Sequence, residues 1–114
     1  MIVALSIAPS GPPLDARDDP AAGGPDGAGV ADAVAAAVEE LRASGLPCQT
    51  NAMFTNVEGE WDEIFPAVKR AVDVVARAYP RVSLVLKADI RAGFDGELDG
   101  KVERLETALQ RRGR

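Results

Sequence analysis

The alternation of apolar and polar positions divides the chain into four strand-like and three helix-like stretches. Residues 2–8 read as a buried strand: Val3, Leu5 and Ile7 fall on one face, and Ile2, Ala4, Ser6 and Ala8 on the other. Pro9-Ser10-Gly11 ends it. Over residues 30–44, Val30, Val34, Val38 and Leu41 recur at spacings of three and four, and Ala33 and Ala37 widen the stripe. Gly45 then suits a left-handed helix cap, and Pro47 prevents continuation. Residues 47–51 and 53–58 form two short strands, or one strand bent near Asn51-Ala52. A second helix runs from about 61 to 78, with Ile64, Val68, Val72 and Val75 inward and Trp61 in the core at its start. Asp62 and Glu63 favour its dipole. Pro66 removes one helical hydrogen bond and clashes one turn back, which predicts a late start or a kink. In residues 82–90, Val82, Leu84, Leu86, Ala88 and Ile90 face the helices, while Ser83, Val85, Lys87 and Asp89 face away. A turn over 92–97 leads to a last helix, 98–111, with Leu98, Val102, Leu105 and Leu109 inward.

This order predicts an α+β fold. It is a ferredoxin-like βαββαβ arrangement, an antiparallel sheet with helices on one face plus a C-terminal helix. The first and third strands lie in the middle, and the fourth sits beside the first. The open face then holds Ile2, Ala4, Ser6, Val85, Lys87, Asp89 and alternate residues of 53–58. That mixture is costly to leave bare. It points to homo-oligomers, dimer or tetramer, through sheet faces or edges, with a polar pocket inside.

Size and charge narrow the function classes. A chain of 114 residues is one domain, 1–114. A net charge of −5 argues against nucleic acid or an anionic membrane as partner. A single Cys48 allows no internal disulfide, and the absence of His excludes a Cys/His zinc site. A lone thiol and an N-terminus without a basic lead-in fit a cytoplasmic protein. Residues 9–29, rich in Pro, Gly, Ala and Asp, predict a mobile loop, either a surface linker or a lid.

The candidate chemistry lies in Thr50-Asn51-Ala52-Met53-Phe54-Thr55-Asn56-Val57-Glu58-Gly59-Glu60-Trp61, a strand-like stretch unusually rich in hydroxyls and amides. Together with Ser6-Ile7-Ala8-Pro9, Leu86-Lys87-Ala88-Asp89-Ile90-Arg91 and Lys101-Val102-Glu103, it resembles the small thiamine-binding protein family. The resemblance covers nearly the whole chain apart from about residues 12–28. It implies a ferredoxin-like fold, sheet-mediated dimers or tetramers, and binding of thiamine or its hydroxymethylpyrimidine part without a reaction or a further cofactor. The departures from the family pattern are a first loop longer than members more often have, a proline at 66, and Phe54 where many relatives have glycine.

A pocket for such a ligand needs groups that read the pyrimidine edge, apolar walls and a carboxylate for the thiazolium. Ser6, Thr50, Asn51, Thr55 and Asn56 can hydrogen-bond, Met53 and Phe54 can form walls, and Asp89 or Glu58 can supply negative charge. Lys87 fits a pair with Asp89, or a hydroxyl or phosphate tail. The ligand-binding set is therefore Ser6, Thr50, Asn51, Met53, Thr55, Lys87 and Asp89. Thr55 and Asn56 point to opposite faces, and alternation leaves open which set meets the helices. The chain carries no His, no paired carboxylates at helical spacing and no phosphate-cradling glycine motif, so an enzyme is disfavoured. The other reading is a sheet-dimerising regulatory or interaction module without a small-molecule ligand.

Overall fold

In the computed structural model, which describes residues 1–14, 28–93 and 95–113, the chain runs β1 (Ile2–Ser10), α1 (Ala28–Ala43), β2 (Cys48–Thr50), β3 (Thr55–Glu58), α2 (Trp61–Ala76), β4 (Arg81–Asp89) and α3 (Glu97–Arg111). The strands form one antiparallel sheet in the order β2-β3-β1-β4. This is the predicted α+β, ferredoxin-like arrangement, with β1 and β3 central and β4 beside β1. β1 runs further than expected. It continues through Pro9 to pair Ser10 with Arg81, and the chain turns only at Gly11, at φ 83°. A Cβ there would lie 2.7 Å from Pro80 Cγ, so glycine is the residue that fits. Most of the expected loop over 9–29, at 15–27, lies outside the described residues.

The core follows the alternation of β1. Val3, Leu5 and Ile7, with Val57 from β3, meet Ala33, Ala37 and Leu41 of α1 and Ile64, Ala67, Val68, Ala71 and Val75 of α2. Fully burying side chains such as Leu5, Leu41 and Ile64 contributes about 1.5–3 kcal/mol each. On α1 the alanines, not the valines, reach deepest: Ala37 is buried, while Val34 is 37% exposed and Val30 more so. The buried stripe is therefore Ala33, Ala37 and Leu41, with Val30 and Val34 at its rim.

Three further expectations change. α2 does not start late. It begins at Trp61, where Glu63 Oε1 accepts the Glu60 N–H at 3.0 Å, and it continues through Pro66. Pro66 is solvent-exposed and leaves only the Asp62 carbonyl without its helical donor. Trp61 is not core. It is 55% exposed and stacks on Phe65 one turn later, with ring centroids 5.1 Å apart. The apolar stripe of α3 is not inward either: Val102, Leu105 and Leu109 are all exposed, Leu105 at 57%. Among the described residues, only the first turns of α3 bond to the sheet, and they do so on the face opposite α1 and α2.

Candidate functional site

The polar stretch after α1 is a hairpin, the two-strand form of the alternatives. Thr50 pairs with Thr55, Gln49 with Asn56 and Cys48 with Val57. Asn51 builds the turn between the strands. Its N–H donates to the Phe54 carbonyl, and its Oδ1 accepts the N–H groups of Met53 and Phe54, all at 2.9 Å. The sequence could not reveal this use of Asn51, because an amide in a polar strand and an amide locked in a turn look alike.

Register with β1 settles the faces. Thr55 pairs with Leu5 and Val57 with Val3, so Thr55 and Thr50 lie on the helix side; Asn56 pairs with Ala4 and Glu58 with Ile2, on the open side. The Thr50 and Thr55 hydroxyls are 3.1 Å apart, a hydrogen bond in which either can donate. Thr55 is buried among apolar residues.

Two clefts result. The first, of about 240 Å³, lies between α1 and the hairpin turn, lined by Val34, Ala37, Val38 and Leu41 on one side and by Leu5–Ile7 and residues 50–55 on the other. Among the described residues no charged side chain lines it. It brings together Ser6, Thr50, Asn51, Met53 and Thr55, five of the expected residues. Met53 sits at its exposed mouth, at 73% exposure. The α1 wall was missed from sequence because an apolar helix face reads the same whether it packs on protein or borders a cleft.

The second cleft, of about 380 Å³, lies on the open sheet face beneath α3. Ile2, Ala4 and Val102 supply apolar surface, and Lys87, Asp89, Gln49 and Asn56 supply polar groups. Asn51 borders both clefts. The expected pairing of Lys87 with Asp89 is replaced: Asp89 is held by Lys101 of α3, and Lys87 makes no ion pair among the described residues. The reason is tertiary, since the start of α3 lands beside the end of β4. Glu58, the other candidate carboxylate, is buried and committed elsewhere. Its Oε2 and Oε1 accept the N–H groups of Glu97 and Leu98 at 2.7 and 3.3 Å. Glu97 in turn takes both terminal nitrogens of Arg104, at 2.7 and 3.3 Å. Those bonds hold the Glu97 carboxyl below its ordinary pKa against the opposing effect of burial, with Arg91 and the N-terminal amine adding to the lowering. Gln49 Nε2 donates to Asp99 Oδ1 at 3.0 Å, so four hydrogen bonds, one each from Gln49 and Asp89 and two from Glu58, tie the base of α3 to the sheet.

Burial pushes the Cys48 thiol up, with Arg42 opposing more weakly. A thiol shifted in that direction is a poor nucleophile. No helix among the described residues is long and apolar enough to cross a membrane.

Comparison with known proteins agrees with the fold. Residues 21–106 match the family described as thiamine-binding protein. A UPF0045 protein of Mycobacterium bovis is 46% identical over 86 residues, covering 75% of this chain and 84% of the relative. A hypothetical protein of Methanocaldococcus jannaschii has a crystal structure that superposes with a TM-score of 0.73 at 30% identity, over 92% of this chain and 94% of that one. A protein of Thermotoga maritima, proposed to act in thiamine biosynthesis or salvage, superposes with a TM-score of 0.66 at 24% identity, over 91% of this chain and 96% of that one; at that identity the likeness is one of fold.

Proposed function

Since the chain belongs to the thiamine-binding protein family, we propose that it binds thiamine or its free hydroxymethylpyrimidine moiety, without reaction, in the cleft between α1 and the hairpin turn. The observation that carries this reading is the pairing of apolar walls with the Thr50–Thr55 hydroxyls in a cleft that, among the described residues, no charged side chain lines. A flat, neutral heteroaromatic ring needs that combination: area for its faces and a few fixed polar groups for its edge. At about 240 Å³ the cleft falls below the roughly 300–1,000 Å³ of pockets that enclose a drug-sized ligand. It suits the pyrimidine half, with the thiazolium left at the mouth near Met53. The open-face cleft suits thiamine less well, because Lys87 would repel the thiazolium while Asp89 is already paired.

Homo-oligomerisation belongs to the same proposal. Val85 on the open face of β4 and Val102, Leu105 and Leu109 on α3 leave more apolar surface in water than scattered exposed residues require. A dimer or tetramer that covers the open sheet face and α3 removes it. The same surface supports a second reading, an interaction module with no small-molecule ligand.

Calorimetry and thermal unfolding with thiamine and the free pyrimidine separate the two. Ligand at a hundred times Kd adds about 2.7 kcal/mol to stability. Thr55→Val removes one cleft hydroxyl at nearly constant volume and lowers affinity about tenfold, with the fold kept. No heat and no shift at about millimolar ligand, with oligomers still present, favours the ligand-free module.

A further inference from the structure

Among the described residues, one edge of β1 is left without a partner strand at the first cleft. In an antiparallel pair the residues that exchange backbone hydrogen bonds alternate with those that do not. The Gly59 N–H donates to the Met1 carbonyl at 3.0 Å, so the odd-numbered residues of β1 turn their backbone groups toward β3. β3 agrees. Its even-numbered residues bond toward β2, as the Glu58 N–H to Pro47 carbonyl bond of 3.0 Å shows, which leaves Thr55 and Val57 for Leu5 and Val3. The β1–β3 pairing stops at Leu5–Thr55. The next odd residue, Ile7, would need a partner at position 53, but Met53 is drawn into the turn, its N–H bonded to Asn51 Oδ1. Among the described residues no backbone or side-chain group bonds Ile7 from that side. Pro9, next in the same phase, fits this account, since a proline there forfeits no bond.

Ile7 is only 8% exposed. A backbone donor and acceptor at such a position cost free energy unless something bonds them. Leu5, Ser6 and Ile7 all line the cleft although their side chains alternate between faces, so the cleft is bounded there by the strand's edge.

We propose that the Ile7 N–H and carbonyl form the specificity-determining edge of the site. The N–H donates to a ring nitrogen, and the carbonyl accepts from the neighbouring exocyclic amine of an aminopyrimidine, the two bonds a partner strand would have made. The ligands selected are flat heteroaromatics that carry a ring-nitrogen acceptor beside an exocyclic amine. The thiazolium ring, which offers no such pair, lies outside. This rests on the ligand reading above and names which half of the ligand is read, and by what.

The test uses the wild-type chain. Amide-resolved hydrogen exchange by NMR is measured without ligand and with saturating hydroxymethyl-aminopyrimidine. Calorimetry compares that compound with its counterpart lacking the exocyclic amine. The Ile7 amide is expected to exchange at least about tenfold more slowly when the pyrimidine is bound, and loss of the amine should weaken binding about two- to tenfold. Binding of both compounds with equal affinity and no added protection at Ile7 overturns the proposal while leaving the functional reading intact. Absence of any binding by the aminopyrimidine removes the functional reading itself, and this proposal with it.

Discussion

Glu58 Oε2, on the open face of the sheet, accepts the backbone N–H of Glu97 at 2.7 Å and so caps α3 from a distant strand. The residue at the helix's own cap position, Gly96, has no side chain to do this. We predict that Glu58→Ala costs about 1–3 kcal/mol, because two N–H groups lose their acceptor in a largely buried setting. Glu58→Gln, which keeps one acceptor oxygen, costs less. Urea unfolding gives both values. A Glu58→Ala chain as stable as the wild type would mean that α3 is not held by this contact.

The ion pair beside that cap makes the base of α3 acid-sensitive. The folded-state pKa of Glu97 lies below its unfolded value, chiefly through its hydrogen bonds to Arg104. Its stabilising contribution is therefore complete above the ordinary glutamate range and is lost as pH falls through that range to the lowered value. Arg104→Gln should remove this part of the pH dependence: it lowers stability modestly at neutral pH, where the exposed guanidinium is screened by solvent, and changes little once acid has protonated Glu97. Thermal midpoints against pH for the two chains check it, and parallel curves would count against the assignment.

Pro66 sits inside α2 at a position where its missing N–H would have met the Asp62 carbonyl. Pro66→Ala restores that bond. It also loosens the unfolded chain, which offsets part of the gain. The net prediction is about 1–2 kcal/mol of added stability, read from the denaturation midpoint. An unchanged or lower midpoint would show that the helix has fully adapted to the proline.

The exposed stripe of α3 is the best place to disrupt assembly. Leu105 is far from the core, so Leu105→Glu should leave the monomer fold intact and shift sedimentation toward smaller species. Circular dichroism verifies the fold in the same sample. An unchanged sedimentation coefficient would remove α3 from the interface.

The sequence by itself determined the element order, the sheet topology, the inward face of β1 and, on β4, that of Val82, Leu86 and Ala88. Those follow from short-range periodicity, which local backbone geometry converts directly into facing. Leu84 and Ile90, expected inward with Val82, are exposed, Ile90 lying beyond the strand's end. Of the seven residues the sequence proposed for one site, Ser6, Thr50, Asn51, Met53 and Thr55 border a common cleft, while Lys87 and Asp89 border the other one, on the opposite face of the sheet. Only the tertiary structure decided the rest. It turned Asn51 into a turn-builder, gave Asp89 to Lys101, spent Glu58 on the end of α3 and left the apolar side of that helix in water. It also ended the β1–β3 ladder at Leu5. Each outcome depends on which distant segments meet. A carboxylate, an amide or an apolar stripe has the same local pattern whichever partner it finds.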